Sequence, residues 1–206
     1  MEERIAIPAG ELTLEGRFCP GAAGPGVIIT HPHPLFGGSL DNNVVWTAAR
    51  AFQARGWATL RFNFRGVGAS TGTYAEGAGE VEDVAAALEF LTTRLPGPYY
   101  LAGYSFGAYV AARALLQGLG ANGALLIAPP VAFMDLAFLP AVPRLELIVV
   151  GDRDELCPLA ALKAMLKERP APLKIAVIAG ADHFFGGREA ELFQVLKDQP
   201  WPGPAG

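Results

Sequence analysis

Tyr99–Gly107 reads YYLAGYSFG, an apolar run that passes into Gly103-Tyr104-Ser105-Phe106-Gly107 and on into an alanine-rich segment. The run predicts a buried strand over Tyr99–Gly103, and the spacing that follows predicts a helix over Phe106–Leu116. A strand can become a helix this abruptly only through a very tight turn. A side chain two residues to either side of Ser105 would meet the flanking backbone there, and glycine stands at both places. Such a turn lifts the Ser105 hydroxyl above the sheet edge. It also sets the Phe106 N–H beside that hydroxyl at a helix N-terminus, where amides lack partners and the dipole favours an anion. A serine between glycines can simply cap a helix, but the preceding strand and the mid-chain position favour a displayed nucleophile.

Outward from this turn, strands and helices alternate. Ile5–Ile7 and Leu12–Phe18, split by Pro8-Ala9-Gly10, predict a hairpin. Val27–Thr30 and Ala58–Phe64 read as buried strands. Between them Asn43–Arg55 places Val44, Val45, Ala48, Ala51 and Phe52 at helical spacing and stops at Gly56. Val81–Leu95 predicts a helix with Glu80, Glu82 and Asp83 at its positive end. Strands are then expected at Ala124–Ala128, Leu145–Val150 and Lys174–Ala179, with helices at Leu159–Glu168 and Arg188–Leu196. Strands alternating with helices of this length imply a doubly wound, mostly parallel eight-stranded sheet covered on both faces. The expectation is an α/β fold with a single domain over residues 1–199 and a Pro/Gly-rich tail over 200–206. The one long connection, Pro129–Pro143, is too short for a cap domain and suits a substrate-facing flap or an edge cover.

Composition narrows the function. The 206 residues are 51% hydrophobic and 17% charged, which disfavours disorder. The formal net charge is −4 and no basic run occurs, so no nucleic-acid partner is expected. Cys19 and Cys157 lie far apart without a CxxC, which fits a reducing compartment better than a disulfide framework. The opening MEERIAIPAG has no apolar core of a secretory leader, and no apolar stretch reaches the ~18–20 residues of a membrane span. A cytoplasmic chain without a membrane partner is the expectation. Oligomeric state is left open.

A serine hydroxyl needs a neutral imidazole to take its proton. The histidines are His31, His33 and His183. His183 follows the last expected strand, in GADHFF, where an open α/β sheet collects its site. An acid to orient it is expected after Leu145–Val150, in GDRDELCP: Asp154 first, then Asp152, then Glu155. Asp152 can instead close its own turn, and Asp182, adjacent to His183, points away in most loops. The stretch THPHPLFGG over Thr30–Gly38 should supply a second donor to an oxyanion. Pro32 and Pro34 have no N–H, which leaves Leu35 or Phe36, with Leu35 preferred. The HxH of His31 and His33 lacks the partners of a metal site and reads as packing beneath this loop, so no metal and no cofactor are expected. Arg65–Gly72, RGVGASTG, mimics a dinucleotide fingerprint, but its spacing is GxGxxxG and no helix opens at once, so it reads as a loop at the sheet edge.

The stretches HPHPLFGGSLDNNVV, LRFNFRGVGASTG, LAGYSFGAYVAA, GDRDELCP and GADHFFGGR occur in order between Thr30 and Arg188. Together they resemble the α/β-hydrolase superfamily, and within it a small cap-less bacterial branch near the dienelactone-hydrolase-like esterases. The resemblance implies Ser105 as nucleophile, His183 as base, Asp154 as acid and Phe106 as an oxyanion donor, acting on short-chain carboxylic esters. It departs from dienelactone hydrolases proper, whose nucleophile is cysteine, so their substrate does not carry over. The same three residues would also serve a thioesterase or a lactone or C–C hydrolase. A binding protein with a dead site and a nucleotide-binding oxidoreductase are the other classes considered. A small-molecule ester is the expected partner, in an open cleft walled by Phe36, Tyr104, Phe106, Phe184 and residues of Val131–Phe138.

Overall fold

The computed structural model describes residues 2–22, 24–171 and 173–200. Most of the proposed tail, residues 201–206, lies outside them. Eight strands form one sheet in the order β1-β2-β4-β3-β5-β6-β7-β8. They are β1 (Glu3–Ala9), β2 (Leu12–Cys19), β3 (Gly26–Thr30), β4 (Ala58–Phe62), β5 (Tyr99–Tyr104), β6 (Gly123–Ile127), β7 (Leu145–Gly151) and β8 (Lys174–Ile178). The β1–β2 and β2–β4 pairs are antiparallel and the pairs from β4 through to β8 are parallel. Strands β3, β4 and β6 are buried at every residue, as both-face coverage requires.

Among the described residues five α-helices cover the faces: α1 (Asn43–Gln53), α2 (Ala78–Thr92), α3 (Phe106–Leu116), α4 (Leu159–Met165) and α5 (Glu189–Asp198). On one face Val45, Phe52, Leu192 and Leu196 of α1 and α5 pack with Val27, Ile29 and Val149. On the other, Val84, Leu88 and Leu91 of α2 and Val110 and Leu115 of α3 pack with Ile28, Leu101 and Leu126. The chain therefore leaves β3 over one face to reach β4 and returns over the other face to β5. Winding reverses between β3 and β5, and an open α/β sheet has its crevice at that reversal, outside the carboxyl ends of the strands. Among the described residues no helix is long and apolar enough to cross a membrane.

Several boundaries differ from the sequence expectation, each for a local reason. Strand β1 runs through Pro8 to Ala9, because at the sheet edge a missing N–H breaks no ladder bond. Helix α2 begins at Ala78 rather than Val81. The buried Glu80 carboxylate accepts the N–H groups of Ala75 (2.8 Å) and Gly77 (2.7 Å), which caps the helix a turn early. The segment expected as one helix over Leu159–Glu168 tightens into a 3-10 turn at Leu166–Glu168. The glycine-rich loop is tied down at its start, where the Arg65 guanidinium meets Asp83 at 2.8 Å and the Arg65 N–H donates to the same carboxylate at 2.9 Å. Pro129–Pro143 packs on the core through the buried Leu136, Leu139 and Val142 and lines the cavity beside Ser105 with Pro130, Phe133 and Met134; no cap domain is present among the described residues.

Helix α3 approaches the end of β3 closely. A Cβ on Gly107 would lie 2.5 Å from the Thr30 carbonyl oxygen and 2.7 Å from that of His31. Backbone on both sides leaves no room to yield. Gly107→Ala is therefore expected to destabilise the fold by about 2–3 kcal/mol or more, in the range of overpacking. Gly118→Ala, at a helix end with nothing within 4 Å, carries only its positive φ of 91° and should cost less. Urea unfolding of the two variants checks the ranking.

Candidate active site

Ser105 sits at the β5–α3 junction with φ 54° and ψ −118°, a conformation that costs a non-glycine residue roughly 1–3 kcal/mol. The surroundings enforce it. Ladder bonding carries β5 to the end, with the Ser105 N–H donating to the Ile127 carbonyl at 2.9 Å. Gly103, like Gly107, faces backbone: its Cβ would lie 2.5 Å from the Gly107 carbonyl oxygen. The Thr30 hydroxyl donates to that same Gly107 carbonyl at 2.9 Å and clamps the turn to β3.

Three side chains from three loops meet here. His183 Nε2 lies 2.9 Å from Ser105 Oγ, and His183 Nδ1 lies 2.9 and 3.0 Å from the two oxygens of Asp154. Asp154 Oδ1 also accepts the N–H groups of Leu156 (2.9 Å) and Cys157 (2.7 Å), so the carboxylate is held by its own turn as well as by the imidazole. A carboxylate only accepts, so Nδ1 carries the proton and Nε2 is the acceptor facing the serine hydroxyl. All three residues are buried, with 4–8% of their surface exposed. The competing acids are engaged elsewhere. Asp152 accepts the Gly180 N–H at 2.6 Å, and Asp182 accepts the Phe184 N–H at 3.0 Å. Glu155 is exposed.

A cavity of about 130 Å³ opens beside the serine, lined by His33, Phe36, Ser105, Phe106, Pro130, Phe133, Met134 and Leu156. It is walled almost wholly by apolar and aromatic groups.

Comparison with known proteins places this arrangement. A family model described as "Serine aminopeptidase, S33" matches residues 42–146, half of the chain and the part that carries the elbow. The chain belongs to this family of the α/β-hydrolase superfamily. Over 95% of the chain and 87% of the relative, it is 34% identical to the uncharacterized protein RP471 of Rickettsia prowazekii. An α/β serine hydrolase homologue from Coxiella burnetii superposes with a TM-score of 0.88 at 39% identity, covering 95% of each chain. XC6422 from Xanthomonas campestris, described as a serine hydrolase without lid, does so at 0.85 and 31%, covering 95% of this chain and 92% of that one.

Within the hydrolase, the other expected site residues divide. Phe36 lines the cavity and is largely exposed; Phe106 lines it from a buried position. Tyr104 does not line it. Its ring is 2% exposed in the core and its hydroxyl donates to the His183 carbonyl at 3.0 Å, so it holds the histidine loop rather than a ligand. Phe184 lies outside the cavity, its ring perpendicular to that of His183 at 5.6 Å. Leu35 is displaced from the role expected of it. Its N–H donates to His33 Nδ1 at 3.2 Å within the turn Pro34–Phe36, and the Phe36 N–H bonds the His33 carbonyl at 3.1 Å. Among the described residues nothing accepts the N–H of His33, which stands between the two prolines and lines the cavity.

The ring of His31 is wholly committed. Nε2 accepts the Phe64 N–H at 3.0 Å and Nδ1 donates to the Pro32 carbonyl at 2.6 Å, which ties the loop to the end of β4 and leaves neither nitrogen for a ligand. Burial disfavours the imidazolium and pushes the pKa from 6.5 down to about 4. The unfolded chain thus binds a proton between pH 6.5 and 4 that the native state does not, and stability falls as pH drops through that window. The contribution lost between pH 7.5 and pH 5 is about 2 kcal/mol. Urea unfolding at the two pH values should show that loss in the wild type and a flatter dependence in His31→Asn.

Proposed function

We propose that the hydrolase cleaves short-chain carboxylic esters through a Ser105–His183–Asp154 triad. The observation that carries the reading is the continuous hydrogen-bonded line from the Ser105 hydroxyl through both nitrogens of His183 to a carboxylate that is already held by two amides. Ser105 Oγ attacks the carbonyl carbon while His183 Nε2 takes its proton. Asp154 keeps the imidazole in the required tautomer and stabilises the imidazolium. The oxyanion forms against the N–H of Phe106, at the start of α3, and the free N–H of His33, in place of Leu35. Collapse expels the alcohol, which leaves with the proton from His183, and the acyl group stays on Ser105. Water, deprotonated by His183, then attacks the acyl-enzyme, and the acid and free Ser105 are regenerated.

The cavity supports a short or compact acyl group. Its ~130 Å³ is close to the ~150 Å³ known to hold one benzene ring. Recognition of a free α-amino group would call for a carboxylate, and none of the lining residues carries one, which favours a simple ester over an N-terminal peptide.

Ser105→Ala is expected to lower kcat on a p-nitrophenyl ester by about 10³–10⁶-fold. Asp154→Asn should cost roughly 10⁴-fold, since it favours the wrong tautomer, whereas Asp152→Asn should cost little. The reverse ranking would move the acid to Asp152. Across an acyl series, kcat/KM should favour acetate to butyrate over laurate and palmitate. A value that kept climbing past about eight carbons, by the ~0.8 kcal/mol per CH₂ of full burial, would contradict the small cavity.

A further inference from the structure

A tetrahedral intermediate on Ser105 has four substituents, and the site assigns each a direction. One is Ser105 Oγ. The oxyanion points to the amides of Phe106 and His33. The leaving oxygen must face His183 Nε2, because that nitrogen returns the proton. The acyl group takes the remaining direction. Ser105, Phe106 and His33 line the cavity and His183 does not, so the cavity receives the acyl arm and the alcohol arm lies on the histidine side.

On that side stands Phe184, 64% exposed, its ring at 90° to that of His183. A lone exposed phenylalanine is ordinary. This one is held on a rigid mount. The next residue, Phe185, is fully buried with φ 54°, a strained backbone for a bulky residue, and its carbonyl accepts the Arg188 N–H at 2.9 Å. The Phe184 N–H is bound by Asp182 at 3.0 Å, and its carbonyl accepts from Asn43 Nδ2, at the start of α1, at 3.1 Å. Phe185 turned into the core, on strained backbone, is what turns Phe184 out beside the base. Strain of this kind persists where the surroundings over-determine it and is concentrated at functional sites.

We infer that Phe184 is the platform for the leaving group, so that the substrates join a short apolar acid to a bulky, aryl-bearing alcohol. This rests on the ester-hydrolase reading above. The alternative is that Phe184 only shields His183 from water, in which case its loss would affect every ester alike.

The test uses ethyl acetate and 2-phenylethyl acetate, whose alcohols differ little in acidity and which give the same acetyl-enzyme. Wild type should favour the phenylethyl ester about three- to tenfold in kcat/KM, the value of one aromatic contact. Phe184→Ala should bring that ratio to about one, and Phe184→Trp should restore it. Met134→Ala, which enlarges the cavity, should shift the acyl-length profile toward longer acids and leave the phenylethyl preference in place. Equal kcat/KM for the two esters in wild type, or a ratio unchanged by Phe184→Ala, overturns the inference. Hydrolysis of both esters by Ser105→Ala at the wild-type rate would instead overturn the ester-hydrolase reading beneath it.

Discussion

The site depends on one close approach, the backbone of α3 at Gly107 lying against the carbonyls of Thr30 and His31. With hydrogen in place of a side chain, the first turn of α3 seats directly on the end of β3. That seating brings the helix N-terminus beside the loop of His33, and it forces Ser105 into a positive φ that no tolerant residue type relieves. The energy stored there is offset by the packing around it. Phe106 is buried against Phe64, Tyr74 and His33, and Thr30 bonds across to the carbonyl of Gly107. The Ser105 hydroxyl is thus displayed by a turn that the core holds in place.

The electrostatics follow from how few polar groups are buried here and how fully each is satisfied. The buried Asp154 carboxylate is surrounded by two amides and an imidazole. The histidine loop is itself pinned, by Tyr104 from below and by Asn43 from the side. His31, a second imidazole close to the site, is kept neutral by burial and spent on two backbone groups. His33 also tends to neutrality through desolvation, and its ring is placed between the Leu35 N–H and the Tyr74 hydroxyl at 3.2 Å. Both rings of the HPHP stretch thus serve to hold the loop that lines the cavity.

Much of this was legible in the residues. The alternation of β-branched runs with helical spacing carried the sheet and its two faces, because both-face burial leaves a continuous apolar signature in strands such as β3 and β6. The elbow was legible because its glycines answer to backbone contacts that any such turn creates. Asp154 was separable from Asp152 by its place one turn beyond β7. What escaped were features set by the third dimension. Tyr104 lies in the motif, yet β5 turns its side chain inward. Leu35 has an N–H, yet the imidazole two residues earlier consumes it. The early start of α2 depends on a buried glutamate reaching back to amides that sequence spacing alone treats as loop.

The central claim is that His183 activates Ser105 for covalent attack, and the most direct measurement is the intact mass of the protein after exposure to a fluorophosphonate, with the modified peptide sequenced. The account predicts one adduct per chain, on Ser105, and a labelling rate that collapses in His183→Gln. Absence of an adduct, an adduct on another residue, or a rate unaltered in His183→Gln would contradict it.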